Sequence, residues 1–219
     1  MIPAERDLLV AGAKELGVAL RDPEEIEALL HIVDELEIAN AQFNLTAIRD
    51  RPGMVRKHLL DSLSVQPFLR KPHARVADIG TGAGFPGLPL AVVNPGSHFT
   101  LIEATGKKAA FAARTAQRIA CANVTVAHVR AENYRPPELF DTVVARALSS
   151  LADFVAYAGH LCAPDGCLLA MKGKRPDAEL SALPKTFRVL AVHRLRVPGM
   201  DDERHLVELR RHGHSSGTS

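Results

Sequence analysis

The residues best suited to chemistry lie in one stretch, Asp78-Ile79-Gly80-Thr81-Gly82-Ala83-Gly84-Phe85-Pro86-Gly87. The apolar pair Val76-Ala77 leads into it and Leu88-Pro89-Leu90-Ala91-Val92-Val93 leads out, so the pattern reads strand, glycine turn, helix. Such a turn admits a ligand close to the backbone, where a Cβ would collide. The helix start behind it offers unpaired N–H groups and the positive end of a dipole. A nucleotide-like cofactor is the expectation.

Two cofactors compete for these ten residues. Gly82-x-Gly84-x-x-Gly87 fits the dinucleotide pattern G-x-G-x-x-G. Asp78-x-Gly80-x-Gly82-x-Gly84 looks like the turn of S-adenosylmethionine-dependent methyltransferases. The carboxylate of Asp78 at the strand tip favours the second: it would repel a pyrophosphate and suit a sulfonium and an ammonium. A structural turn without ligand is the plainer alternative.

Open α/β sheets bind ligands outside the carboxyl ends of their strands, which nominates further residues. Glu103 closes an apolar run and is placed to accept hydrogen bonds from two ribose hydroxyls; otherwise it is a solvated carboxylate. Ala131 and Glu132, in Arg130-Ala131-Glu132-Asn133, are placed to meet an adenine edge, or form a simple loop. Arg146 would repel a sulfonium, so its fork is better aimed at the cofactor carboxylate or an RNA phosphate; a capping surface arginine is the alternative. Lys172, Lys174 and Arg175 are candidate RNA-phosphate contacts, or a solvated basic loop.

Absences narrow the acceptor. No Asp/Asn-Pro-Pro-aromatic tetrad is present to hold an exocyclic amine. Cys121, Cys162 and Cys167 do not resemble the nucleophiles that methylate cytosine carbon and read as packing residues. A nucleic-acid acceptor should then be nucleophilic already, as guanine N7 is on its Hoogsteen edge. Transfer would need positioning rather than a base, and no residue is certain to be catalytic; Arg146 and Asn44 are the candidates. The ten histidines show no metal spacing; His58, in a helix, and His205, in the last strand, read as structural or solvated. No metal is expected.

The elements that must hold these residues follow from periodicity. Residues 1–70 read as a helical extension: a helix over Ala4–Leu16, one behind Asp22 to about Asn40, and one over Met54–Val65. Asp22 is the expected N-cap, Pro23 the first helical residue and Glu25 the capping-box acid. From Arg75, strands alternate with helices, the signature of a parallel α/β sheet. Strands are expected at Arg75–Ile79, His98–Glu103, Asn123–His128, Phe140–Ala145 and Cys167–Lys172, with helices near Gly87–Val93, Gly106–Cys121, Ser149–Leu161 and Asp177–Leu183. Phe187–Val197 and Arg204–Arg210, joined through Pro198-Gly199, must be antiparallel. The expectation is the α/β, Rossmann-like class I S-adenosyl-L-methionine-dependent methyltransferase sheet with a C-terminal antiparallel hairpin. It divides into a 1–70 helical extension, a 71–210 methyltransferase domain and a disordered 211–219 tail.

The composition sets the outer bounds. The 219 residues are 47% hydrophobic and 24% charged, enough to bury one substantial core. No apolar run reaches the ~20 residues of a membrane helix, and Met1–Asp7 lacks the features of a secretory signal, so a cytoplasmic protein is expected. Residues 1–70 carry 8 Lys/Arg against 12 Asp/Glu and residues 71–219 carry 19 against 13. An acidic start and a basic body are compatible with a polyanionic partner.

Six strings occur in order: Asn44-Leu45-Thr46-Ala47-Ile48; Lys57-His58-Leu59-Leu60-Asp61-Ser62-Leu63; the Asp78–Gly87 turn; Leu101-Ile102-Glu103-Ala104-Thr105-Gly106-Lys107-Lys108; Val144-Ala145-Arg146-Ala147; and Glu203-Arg204-His205. Together, from about Phe43 to Arg210, they resemble the RsmG family, also called glucose-inhibited division protein B; residues 1–40 resemble it only as generic helix. The resemblance implies S-adenosylmethionine-dependent methylation of guanine N7 in the helix-18 loop of bacterial 16S rRNA, position 527. It implies cofactor contacts at Gly80, Phe85, Ala131, Glu132 and Arg146, with Glu103 where many members have Asp. The expected partner is 16S rRNA or the small ribosomal subunit, met by a monomer without membrane or metal. Asn44 and Thr46 would shape the guanine pocket, unless they form only a turn and cap; the stacking partner would be Phe43, Phe85, Tyr134 or an Arg plane. The alternatives are a small-molecule or protein methyltransferase on the same fold, a non-catalytic ribosome-binding protein, and a dinucleotide reductase.

Overall fold

The computed structural model describes residues 3–69, 71–147 and 149–212. Seven strands form one sheet in the order β3-β2-β1-β4-β5-β7-β6. They are β1 (Arg75–Ile79), β2 (His98–Glu103), β3 (Val124–His128), β4 (Phe140–Arg146), β5 (Cys162–Lys172), β6 (Phe187–Leu195) and β7 (Arg204–Arg211). The first five run parallel; β7 lies antiparallel between β5 and β6, as the short connection requires. The chain order reverses beside β1, which pairs with β2 on one side and β4 on the other. That switch point opens a crevice at the strands' carboxyl ends.

Side chains alternate between the sheet's two faces. On one face Val76, Leu101, Val144 and Leu169 pack under α1 (Pro3–Glu15), α2 (Pro23–Phe43), α5 (Gly87–Val92) and α6 (Gly106–Arg118), which contribute Leu9, Leu29, Leu90 and Phe111 to one apolar cluster. On the other, Ala77, Val143, Leu168 and Val207 pack under Leu151 and Phe154 of α7 (Leu151–Ala158). A short α8 (Asp177–Ser181) precedes the hairpin.

Capping explains the N-terminal helices. The Asp22 side chain accepts from the Glu25 N–H at 2.9 Å, and Glu25 reaches back to the Arg21 N–H at 2.6 Å, one residue earlier than a capping box requires. α2 runs on to Phe43 and stops where Asn44 turns left-handed, at φ 48°.

The helix expected over Met54–Val65 differs more. It starts earlier, as α3 (Arg51–Met54) behind the N-cap Asp50, opens into a π-helical turn over Val55–Leu60, and closes as α4 (Asp61–Leu63). The Asp61 N–H bonds Arg56 O, five residues back, which frees the Lys57 carbonyl; Arg146 Nη1 takes it at 3.1 Å. A partner from β4 thus satisfies the group that the π turn releases. β5 begins earlier than expected, because Cys162–Cys167 bulges opposite Phe140–Thr142 and stays paired. Most of the expected tail, 213–219, lies outside the described residues; Arg211 ends β7. Among the described residues no helix is long and apolar enough to cross a membrane.

Candidate functional site

The glycine turn begins where β1 ends. Asp78, whose carboxylate was expected to face a cation, turns the other way: it is fully buried beneath the loop, and its Oδ2 accepts from Thr81 Oγ1 at 2.5 Å and the Gly87 N–H at 2.8 Å. Burial pushes its carboxyl up to about 6, against the lowering effect of those two bonds. A Cβ on Gly87 would stand 2.8 Å from Asp78 Oδ2, so this glycine lets α5 seat on the carboxylate rather than admitting a ligand. Asp78 therefore shapes the turn from below through Oδ2, while its Oδ1 is buried with no partner among the described residues. Gly80 and Gly82 are the open positions: a Cβ on Gly80, at φ +63°, would meet nothing within 4 Å among the described residues. At φ +60° the Gly82 N–H donates to Glu103 Oε2 at 2.9 Å, and a Cβ on Gly82 would stand 3.9 Å from Gly80 O, its nearest neighbour among the described residues.

Glu103 closes β2 and is 6% exposed. Oε2 holds Gly82, and Oε1 accepts the Thr105 N–H at 2.7 Å. Each carboxylate oxygen retains acceptor capacity, and the group borders a cavity of about 360 Å³ together with Gly80, Ala131, Glu132 and Arg146. This brings together most of the expected cofactor residues, from four separate strand ends.

A second cavity, about 590 Å³, opens on the other side of Arg146, lined by Thr46, His58, Asp61, Met171, Leu195 and Arg204 among others. A third, about 180 Å³, lies against the turn between Gly82, Phe85, Thr46 and Lys108. Arg146 and Ala147 border all three. The Arg146 guanidinium sits 5.3 Å from the centroid of the buried Phe85 ring, which stacks on His58 at 4.8 Å.

Three Arg146 N–H groups are committed: Nη1 to Lys57 O and to Asp61 Oδ2 (3.4 Å), Nη2 to His58 Nδ1 (3.5 Å). Asp61, 3% exposed, also takes Arg204 Nε at 3.1 Å on Oδ1, so one carboxylate bridges two guanidinium groups. Burial, reinforced by the Arg146 charge, pushes His58 down to about 3, which leaves it neutral.

Other expected residues lie elsewhere. Asn44 borders neither the second nor the third cavity; it caps α2 and its Oδ1 accepts from Arg49 at 3.0 Å. Lys172 borders the second cavity, but its Nζ pairs with Glu179 at 2.8 Å, and Arg175 pairs with Asp177 at 2.7 Å. Both are thus ion-paired with residues of α8 in place, and Lys174 is exposed. Among the proposed stacking residues, Phe85 is buried in the cluster just described, Tyr134 stacks on Phe140, and Phe43 is 48% exposed beneath Lys107.

His58 reads as structural in the sequence, and nothing there singles out Asn40, Asp61 or Arg204. The strings Lys57–Leu63 and Glu203–His205 contained three of them, but nothing local marks a π turn or pairs Asp61 with residues 85 and 143 positions away.

The chain matches the model of a protein family described as rRNA small subunit methyltransferase G over residues 25–207. Curated proteins named ribosomal RNA small subunit methyltransferase G are similar along most of its length. The one from Nitrosococcus oceani is 45% identical, covering 93% of this chain and 94% of its own, and that from Ectopseudomonas mendocina is 46% identical with the same coverage. Among solved structures, a predicted O-methyltransferase from Agrobacterium tumefaciens superposes with TM-score 0.58 at 25% identity, covering 71% of this chain and 80% of that one. A S-adenosylmethionine-dependent methyltransferase from Thiobacillus denitrificans, solved with S-adenosyl-L-homocysteine, gives 0.54 at 15% identity, covering 69% and 91%. The fold is that of the class I methyltransferases.

Proposed function

The chain belongs to the rRNA small subunit methyltransferase G family, and we propose that it transfers a methyl group from S-adenosylmethionine to N7 of a guanine in 16S rRNA, guanine 527 by family resemblance. The observation that carries this reading is the junction at Arg146: this residue and Ala147 border both a cleft lined by Gly80 and Glu103 and a second cavity large enough for a base.

The residues present fit the cofactor. Glu103 has acceptor capacity facing the first cavity for a ribose diol, Ala131 and Glu132 border the same space for an adenine edge, and the unobstructed backbone at Gly82 leaves room for the aminoacyl end. When bound, S-adenosylmethionine supplies an electrophilic methyl on a sulfonium. Two Arg146 N–H groups outside its committed contacts remain for the cofactor carboxylate. Asp61 offsets the charge that this arginine would otherwise direct at the sulfonium.

Guanine N7 carries a lone pair and no proton, so the chain has no proton to remove, and neutral His58 does not need to act as a base. The chain's contribution is orientation: a base extruded from a single-stranded loop into the second cavity is held in line. Such positioning supplies on the order of 7–11 kcal/mol. Lys174, exposed two residues beyond the end of β5, is a basic side chain available to the RNA backbone.

The test is transfer of a tritiated methyl group onto 16S rRNA and small subunits that lack the modification, followed by nucleoside analysis. Label is expected in 7-methylguanosine; label in any other nucleoside refutes the acceptor assignment.

A further inference from the structure

Thr46 follows the α2 cap and borders both the base-sized cavity and the pocket against the glycine turn. Its position is fixed from behind: its backbone N–H donates to Oδ1 of the buried Asn40 at 2.8 Å. Two groups approach its hydroxyl oxygen, the Ile48 N–H at 3.1 Å and His58 Nε2 at 2.9 Å.

Which atom donates in the His58–Thr46 contact is decided at the far side of the ring. Nδ1 faces Arg146 Nη2 at 3.5 Å. A guanidinium can only donate, and a neutral imidazole has one N–H and one acceptor nitrogen. Nδ1 must therefore accept, the ring proton sits on Nε2, and Nε2 donates to Thr46 Oγ1. The oxygen then receives two hydrogen bonds, one for each lone pair. Its own hydrogen has no acceptor assigned to it among the described residues, and it projects from a residue that borders both cavities.

We infer that Thr46 selects guanine over adenine by presenting to the Hoogsteen edge a hydroxyl that can only donate. Beside N7, guanine carries the acceptor O6 and adenine the donor N6–H2. The Thr46 hydroxyl meets guanine acceptor to donor and adenine donor to donor. Arg146 and His58 act as positioning residues: they set the hydroxyl's direction without touching the base. The inference rests on the guanine-N7 reading above and names how that acceptor is recognised.

The experiment uses the full chain and small-subunit RNA assembled with guanine, inosine or 2-aminopurine at the target position. Inosine keeps O6; 2-aminopurine lacks it and keeps the N2 amine. The readout is the ratio of methylation rates at N7, so differences in intrinsic N7 reactivity cancel when enzymes are compared. Wild type should methylate inosine within about threefold of guanine and 2-aminopurine at least about tenfold more slowly, the scale of one buried donor left unpaired. Thr46→Ser should keep this preference, and Thr46→Val, with the same shape and no hydroxyl, should reduce it about tenfold. His58→Phe frees a lone pair on Thr46 and should also lower the ratio, which keeps the inference testable if Thr46→Val fails to fold. A ratio unchanged in Thr46→Val, or in His58→Phe where the valine variant is inactive, overturns it. A wild-type enzyme that leaves guanine N7 unlabelled instead overturns the acceptor reading itself, so the two failures are distinct.

Discussion

Replacing Glu103 by Gln tests the cleft with a one-atom change. The carboxylate receives two backbone donors, Gly82 N–H at 2.9 Å and Thr105 N–H at 2.7 Å, in a side chain 6% exposed. Hydrogen bonds to a charged acceptor contribute about 1.5–3 kcal/mol each. The amide has one acceptor oxygen, so it keeps one of these bonds in weaker, neutral form and sets its NH2 against the other N–H. A loss of about 2–4 kcal/mol in folding stability follows. The ribose diol loses its charged acceptor as well, which predicts a further loss of about 2–4 kcal/mol in cofactor binding, or roughly thirty- to a thousandfold in Kd. Calorimetric titration with S-adenosylhomocysteine, read beside urea unfolding, separates the two losses. Glu103→Asp should keep most of the affinity, because the charge and both oxygens remain. A glutamine variant that binds within threefold of wild type with an unchanged unfolding midpoint would refute the assignment of Glu103 to the diol.

Other consequences concern the turn, the buried titrating groups and the N-terminal helices. Gly82→Val places a side chain in open space at φ +60°, so it should cost only about 1–2 kcal/mol of stability but at least tenfold in cofactor affinity; unchanged affinity by calorimetry would contradict the cradle. His58 titrates near 6.5 when unfolded and about 3 when folded, so its stabilisation is full above pH 6.5 and is lost toward pH 3 as acid protonates the unfolded chain first. Asp78, raised from 3.8 to about 6, works in the opposite direction: its contribution is present below pH 3.8 and lost as pH rises toward 6. Between pH 4 and 6 the two slopes oppose, so Asp78→Asn should expose a fall of about 1.4 kcal/mol per unit on acidification and His58→Gln a rise. Equal slopes in urea unfolding for all three proteins would exclude this account. Arg51 forks onto Glu5, which is 2% exposed, at 2.9–3.0 Å and also holds Asp34 and Glu37 at 2.7 and 2.6 Å, so Arg51→Ala should destabilise by about 3–5 kcal/mol. A loss under 1 kcal/mol would show that α1 does not depend on this pair.

The amino-acid sequence determined by itself whatever short-range rules encode. Apolar runs mark every strand to within a few residues except at the β5 bulge, Asp22-Pro23 starts α2, and a short link forces the C-terminal strands to pair antiparallel. The glycine spacing and the strand-end Glu103 located the cleft, because strand ends converge at a switch point whatever the side chains do. Tertiary structure decided which way the polar groups face. Asp78 looks cleft-facing in a linear string, yet α5 packs over it and turns its carboxylate inward. Lys172 and Arg175 look like free cations until α8 brings Glu179 and Asp177 alongside. Arg146, from β4, donates to the Lys57 carbonyl within the π turn, and the same guanidinium faces His58 Nδ1. These are contacts between segments tens of residues apart, and periodicity, which measures only a residue's nearest neighbours along the chain, carries no information about them.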